Sequence, residues 1–219
     1  ADDTLLLSGF HRLPDLVRAA APDTEEWRVT FRTAAPEGVE PLDRNHPFLQ
    51  ALAQWLSEEA LARPGEAVAN RCGAIRTRSV SRRTFLLLCR LRYTLSIPGR
   101  PDLLAEEVQC FGFTGSPGAA VAWLPPEEAL RLLRTAQPDA NISPAERAEV
   151  VRELLEAWEP VRTALDPLIT GRAKRLEEAH RRVRAAVQLA RRGLAVARHY
   201  PPDLLGVLVL LPIPQGVRL

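Results

Sequence analysis

From Phe85 to Ile97 the chain alternates. Odd positions hold Phe85, Leu87, Cys89, Leu91, Tyr93, Leu95 and Ile97, and even ones hold Leu86, Leu88, Arg90, Arg92, Thr94 and Ser96. This period of two predicts a long strand, buried on one face throughout and covered on the other only at its start. The segment PGRPD over 98–102 reads as a turn, and 103-LLAEEVQCFGFTG-115 returns as a second strand of an antiparallel hairpin. In that hairpin Glu106 or Glu107 is expected to lie opposite Arg90 and Arg92 as a cross-strand charge pair. Shorter strands are predicted at 27-WRVTFR-32 and around Ala74-Ile75. The continuous apolar run 203-DLLGVLVLLP-212 belongs in a sheet covered on both faces.

Helical spacing appears elsewhere. In 44-RNHPFLQALAQWLSEEALAR-63, Asn45 or His46 supplies the cap and Pro47 suits the first turn. Phe48, Leu49, Leu52, Trp55, Leu56 and Ala60 then form one apolar face. Residues 125-PPEEALRLLRTAQ-137 predict a short helix with Glu127 and Glu128 in its first turn, where acids complement the helix dipole. At 143-SPAERAEVVRELLEAW-158 a Ser cap is followed by Pro and by Glu at the third helical position. Pro160 and Pro167 each predict a kink or break. A second long helix is expected over about 168–191, with Leu176, Ala179, Val183, Ala186, Val187 and Ala190 as its inward stripe. The fold class is α+β, a mostly antiparallel sheet with packed helices and a long helical hairpin, about 144–191, inserted before the last strand. Residues 1–40 read as a connecting segment and 41–219 as one accessory domain.

Composition changes this picture in one place. Of 219 residues 29 are basic and 27 acidic, and the net charge of +2 identifies no partner by itself. Between Gly171 and Tyr200, however, nine basic residues meet two acidic ones, a local excess of +7. The helix 172-RAKRLEEAHRRVRAAVQLARR-192 therefore presents Arg172, Lys174, Arg175, Arg181, Arg182, Arg184, Arg191 and Arg192 as a candidate surface for nucleic acid or a partner protein. A solvated, salt-bridged helix face accounts for the same pattern. No aromatic residues interleave with the run, which disfavours stacking on single strands.

Other chemistry is weakly signalled. Neither a phosphate-binding G-x-x-x-x-G-K-[ST] nor a G-x-G-x-x-G occurs, and no H-E-x-x-H or C-x-x-C. His11, His46, His180 and His199 are scattered, so no metal site is expected, and His46 before Pro47 reads as a capping residue. Glu106 and Glu107, adjacent on a strand, point to opposite faces and cannot converge on one substrate atom. Cys89 and Cys110 read as small core residues. Three unpaired cysteines fit a reducing cytoplasm, and the longest apolar run is too short to span a bilayer. The start lacks the features of a signal peptide, and the absence of methionine reads as a fragment of a longer protein.

Three segments together resemble a known family. They are HPFLQALAQWL with the hairpin ending LLAEEVQCFGF, then PDANISPAERAEVV, then RAKRLEEAHRRVRAAV followed by PPDLLGVLVLLP. Their order over about residues 40–213 resembles the C-terminal region of bacterial SWI/SNF-type helicase-like ATPases, the class containing the RNA polymerase-associated RapA proteins. The resemblance implies motor lobes upstream that hydrolyse ATP with Mg while translocating on duplex nucleic acid. It implies a non-catalytic accessory domain here, with no cofactor of its own, engaging duplex nucleic acid, its own helicase lobes or RNA polymerase. A purely structural interaction module, or a relative acting in phage defence or DNA repair, fits the same order.

Overall fold

A computed structural model of the chain describes residues 4–61, 69–119, 121–186 and 194–214. It divides into two compact units, Ala1–Arg71 and Cys72–Leu219.

The first unit carries a three-stranded sheet of β1 (Leu5–Ser8), β2 (Glu26–Thr30) and β3 (Glu40–Pro41), with β1 antiparallel and β3 parallel to β2. Between β1 and β2 lie a single 3-10 turn and the short helix α1 (Asp15–Arg18). After β3 comes α2 (Pro47–Leu61). Phe10, Trp27 and Phe48 meet edge to face at centroid separations of 5.3–6.4 Å, with Val17, Val29 and Leu42 buried around them. His46 caps α2 as its sequence suggests, since its Nδ1 accepts the Phe48 N–H at 3.2 Å. Residues 1–40 are therefore more than a connecting segment. The unit boundary falls at Arg71 because the aromatic face of α2 completes the core that Phe10 and Trp27 begin.

The second unit is built on a six-stranded sheet. Its main path runs β4 (Cys72–Thr77), β9 (Asp203–Pro212), β5 (Thr84–Ser96), β6 (Leu103–Thr114), β7 (Ala122–Trp123), and β8 (Ala195–Arg198) pairs with the far end of β5. β5 and β6 form the expected hairpin, in register from Thr84↔Thr114 to Leu95↔Leu103. The sheet is antiparallel except where β4 runs parallel to β9. Thus the chain's last strand lies between β4 and β5, buried as its apolar run predicts.

Each sheet face has its own cover. One side of β5 (Phe85, Leu87, Cys89, Leu91, Tyr93, Leu95) packs under α4 (Pro144–Glu156) and α5 (Trp158–Ala186), with Leu154, Val161, Leu165 and Ile169 buried against it. On the opposite side, Leu86 and Leu210 pack under α3 (Pro126–Thr135) through Ala129 and Leu132. α3 approaches closely because position 112 is glycine: a Cβ there would stand 3.0 Å from both Ala129 Cβ and Leu124 Cδ1. Beyond α3 this side is wet, carrying the half-exposed Arg90, Arg92 and Thr94.

Ser143 caps α4 by accepting the Glu146 N–H at 3.1 Å. The Glu146 carboxylate does not fold back to complete a capping box; it accepts from Arg76 of β4 and ties the helix to the sheet. The proline breaks are absent. α5 is one helix of 29 residues that includes both Pro160 and Pro167 and begins ten residues before the expected 168. Pro160 falls in the first turn, where no N–H is required. Pro167 sits inside, between Leu165 and Ile169, both buried. Their burial offsets the cost of a missing helical bond, about 3 kcal/mol. Four strands, β1, β3, β7 and β8, carry too few residues to register as periodic.

Candidate interface on the long helix

α5 is about 43 Å long at 1.5 Å per residue, and its two ends meet different surroundings. Val161, Leu165, Ile169 and Ala173 are buried at four-residue intervals, and Leu176 still packs on the core. Polar clamps flank this stripe. Asp166 holds Arg198 of β8 through both carboxylate oxygens, and Arg162 and Arg198 lie over the Tyr200 ring at 4.9 and 5.4 Å. Arg172 donates from Nε and Nη2 to Glu107 of β6, at 2.9 and 2.8 Å.

Glu107 is the centre of the second clamp. It also accepts from Tyr93 Oη at 2.9 Å and from Gln109 Nε2 at 3.2 Å. The Arg172 guanidinium, against the opposing pull of burial, holds its carboxyl below the usual carboxylate range, and the Tyr93 and Gln109 bonds act in the same direction. Burial pushes the Tyr93 phenol well up, reinforced by its bond to Glu107. The charge pairing expected across the hairpin is thereby corrected. Glu106 does stand opposite Arg92, but Arg90 and Arg92 bind Asp203 at the start of β9, at 2.8 and 3.3 Å. Glu107 points to the other face, as strand alternation requires, and binds α5.

Past Leu176 the helix continues for ten residues, about 15 Å. Ala179 is exposed, and Val183 is 65% exposed. The inward stripe expected through Ala179 and Val183 is thus not inward, because Leu176 is the last residue packed on the core. Among the candidate cations, Arg172 is withdrawn into the Glu107 clamp. Arg181 pairs with Glu177 one turn back while staying largely exposed. Lys174, Arg175 and Arg182 are exposed and make no ion pair among the described residues. Arg175 stands near enough to Tyr93 to act on it electrostatically. Arg184 belongs to α5, its side chain lying outside the described residues, as do Arg191 and Arg192, and Val187 and Ala190 of the expected stripe.

The other titratable groups serve the fold. Glu128 binds Arg131 within α3, and Arg83 forms a two-bond pair with Glu153 of α4. Burial raises the Cys89 thiol to about 12 and that of Cys110 to about 11, so both behave as small apolar groups. Among the described residues no three metal-ligating side chains cluster, and no helix is long and apolar enough to cross a membrane. A cleft of about 780 Å³ in the first unit is lined by Phe10, His11, Arg18, Asp23 and Glu25.

The second unit is therefore an α+β domain with a cationic helix end standing clear of its core. The chain belongs to the family described as a domain of unknown function, DUF8741, whose model matches residues 58–216. The match takes in the whole described sheet of the second unit and every helix from α3 on. No curated protein matches the chain.

Proposed function

We propose that this chain is a non-catalytic binding module that engages duplex nucleic acid through the projecting end of α5. The observation that carries this reading is the set of exposed cations Lys174, Arg175 and Arg182, without ion pairs among the described residues; the first two flank Leu176, the last residue packed on the core, and Arg182 stands on the ten residues beyond it. Residues 172–186 hold six basic and two acidic side chains, a net +4 against +2 for the whole chain. A helix of that charge fits the backbone of a duplex, where each phosphate neutralised releases counterions. On this reading the module is the C-terminal accessory domain of a SWI/SNF-type translocase, with ATP and Mg used by motor lobes elsewhere in the parent. The support for that parentage is the order of elements: hairpin, helical excursion, then a final strand.

The test is fluorescence anisotropy with a labelled duplex across a salt series. The triple change Lys174→Glu, Arg175→Glu, Arg182→Glu is expected to weaken binding at least about tenfold and to flatten the salt slope by about three charges. Undiminished affinity in that variant would remove the reading. A second reading, docking of a protein such as RNA polymerase or the motor lobes, is favoured by Val183, an exposed apolar residue amid the cations. It predicts salt-insensitive binding that Val183→Asp abolishes.

A further inference from the structure

The sheet of the second unit has two edges that the protein treats differently. On β4 the outer edge is covered at its end: Asp139 donates its N–H to the Arg76 carbonyl at 2.8 Å, and Ala140 bridges the same residue, so only Cys72–Ile75 lie outside this cover. The Asp139 carboxylate takes the Arg78 N–H at 2.7 Å and the Thr77 hydroxyl at 3.2 Å. β6 is covered only at its end, where β7 pairs with Phe113 and Thr114 and Leu124 donates to the Gly112 carbonyl. From Leu103 to Phe111 its outer edge has no backbone partner among the described residues. The strand also carries Leu103, Leu104 and Val108, exposed by 59%, 62% and 52%. It contains none of the usual blockers of pairing, no proline, lysine or bulge, only two glutamates.

We propose that the β6 edge pairs antiparallel with the same edge of a second copy, joining two six-stranded sheets across a two-fold axis. Antiparallel self-pairing is isologous, so each copy supplies the same residues and the contact closes at two. Charge selects the register. With Glu106 or Glu107 on the axis, two like carboxylates stand face to face. With Val108 on the axis, Glu107 faces the partner's Gln109, Glu106 faces the partner's Cys110, and Ala105 faces the partner's Phe111. That register pairs seven residues, about 23 Å of strand, and brings the two exposed Val108 side chains together. Because Glu107 is already bound by Arg172, its charge does not oppose the approach.

Sedimentation velocity of the full chain from about 1 to 200 µM is expected to show a concentration-dependent dimer, which Val108→Lys converts to monomer. Site-specific oxidation tests the register without relying on that variant. In a Cys72→Ser background, Val108→Cys is expected to form an intermolecular disulfide, since residues on the axis bring their Cα atoms within about 5.5 Å. Leu104→Cys, equally exposed, is expected to form none, because its two copies lie eight strand positions apart, about 26 Å. A chain that stays monomeric throughout the range, or equal crosslinking at the two positions, overturns the proposal.

Discussion

The two halves of α5 carry similar sequence periodicity and end in opposite situations. In the half up to Leu176, residues at four-residue spacing are buried and two polar side chains are fastened to strands: Asp166 to Arg198, Arg172 to Glu107. In the half beyond, the corresponding apolar positions, Ala179 and Val183, meet water, and the cations stand free or pair within the helix. Helical spacing states which residues share a face. Whether that face is covered depends on how far the opposing sheet extends, which no helix records in its own sequence.

The contrast is broken most directly by Leu165→Ala. This side chain is fully buried, so its truncation is expected to lower unfolding free energy by about 2–5 kcal/mol in urea denaturation. A loss as small as that of an exposed position would mean that the first half is not anchored.

Glu107→Ala is expected to have a smaller effect, about 1–2 kcal/mol, because Arg172 keeps partial access to water once its partner is gone. The pH dependence sharpens this. Since Arg172 lowers the folded-state pKa of Glu107, its contribution is present above the unfolded value of about 4.3 and is lost as pH falls through the folded one. Tyr93 works with the reverse sign. Its raised folded pKa contributes stability that is whole below about pH 10 and lost as pH climbs through the folded value. Melting temperature followed across both ranges is expected to fall at each end, with the acid limb shallower in the Glu107 variant.

The smallest effect belongs to the projecting half. Val183→Asp is expected to alter stability by no more than about 0.5 kcal/mol by the same denaturation. A loss beyond about 2 kcal/mol would show that something covers Val183 and would erase the difference between the halves.

Much of the second unit was legible in advance, and the reasons are local. The period of two survives in β5, where Phe85, Leu87, Cys89, Leu91, Tyr93 and Leu95 are all buried and the other face is buried only at its start, and the unbroken run 203–212 announced a strand flanked on both faces. Other features were hidden by distance. Either Glu106 or Glu107 fits opposite Arg90 and Arg92 until the register is known, and Asp203, the true partner, is more than a hundred residues away. Arg172 looks like any other cation of its run; only the strand beneath it distinguishes it from Arg175. The prolines misled for a further reason, since a helix interior tolerates Pro167 once buried neighbours offset the missing bond.

The position of β9 bears on synthesis as well as on stability. The strand between β4 and β5 is the final one of the sheet that the ribosome releases. Until it arrives, β4 lacks its lateral partner, and Phe85 and Leu87 on one face and Leu86 on the other border an empty lane. The sheet therefore cannot close until β9 is made, roughly ten seconds of translation after β5 at 5–20 residues per second.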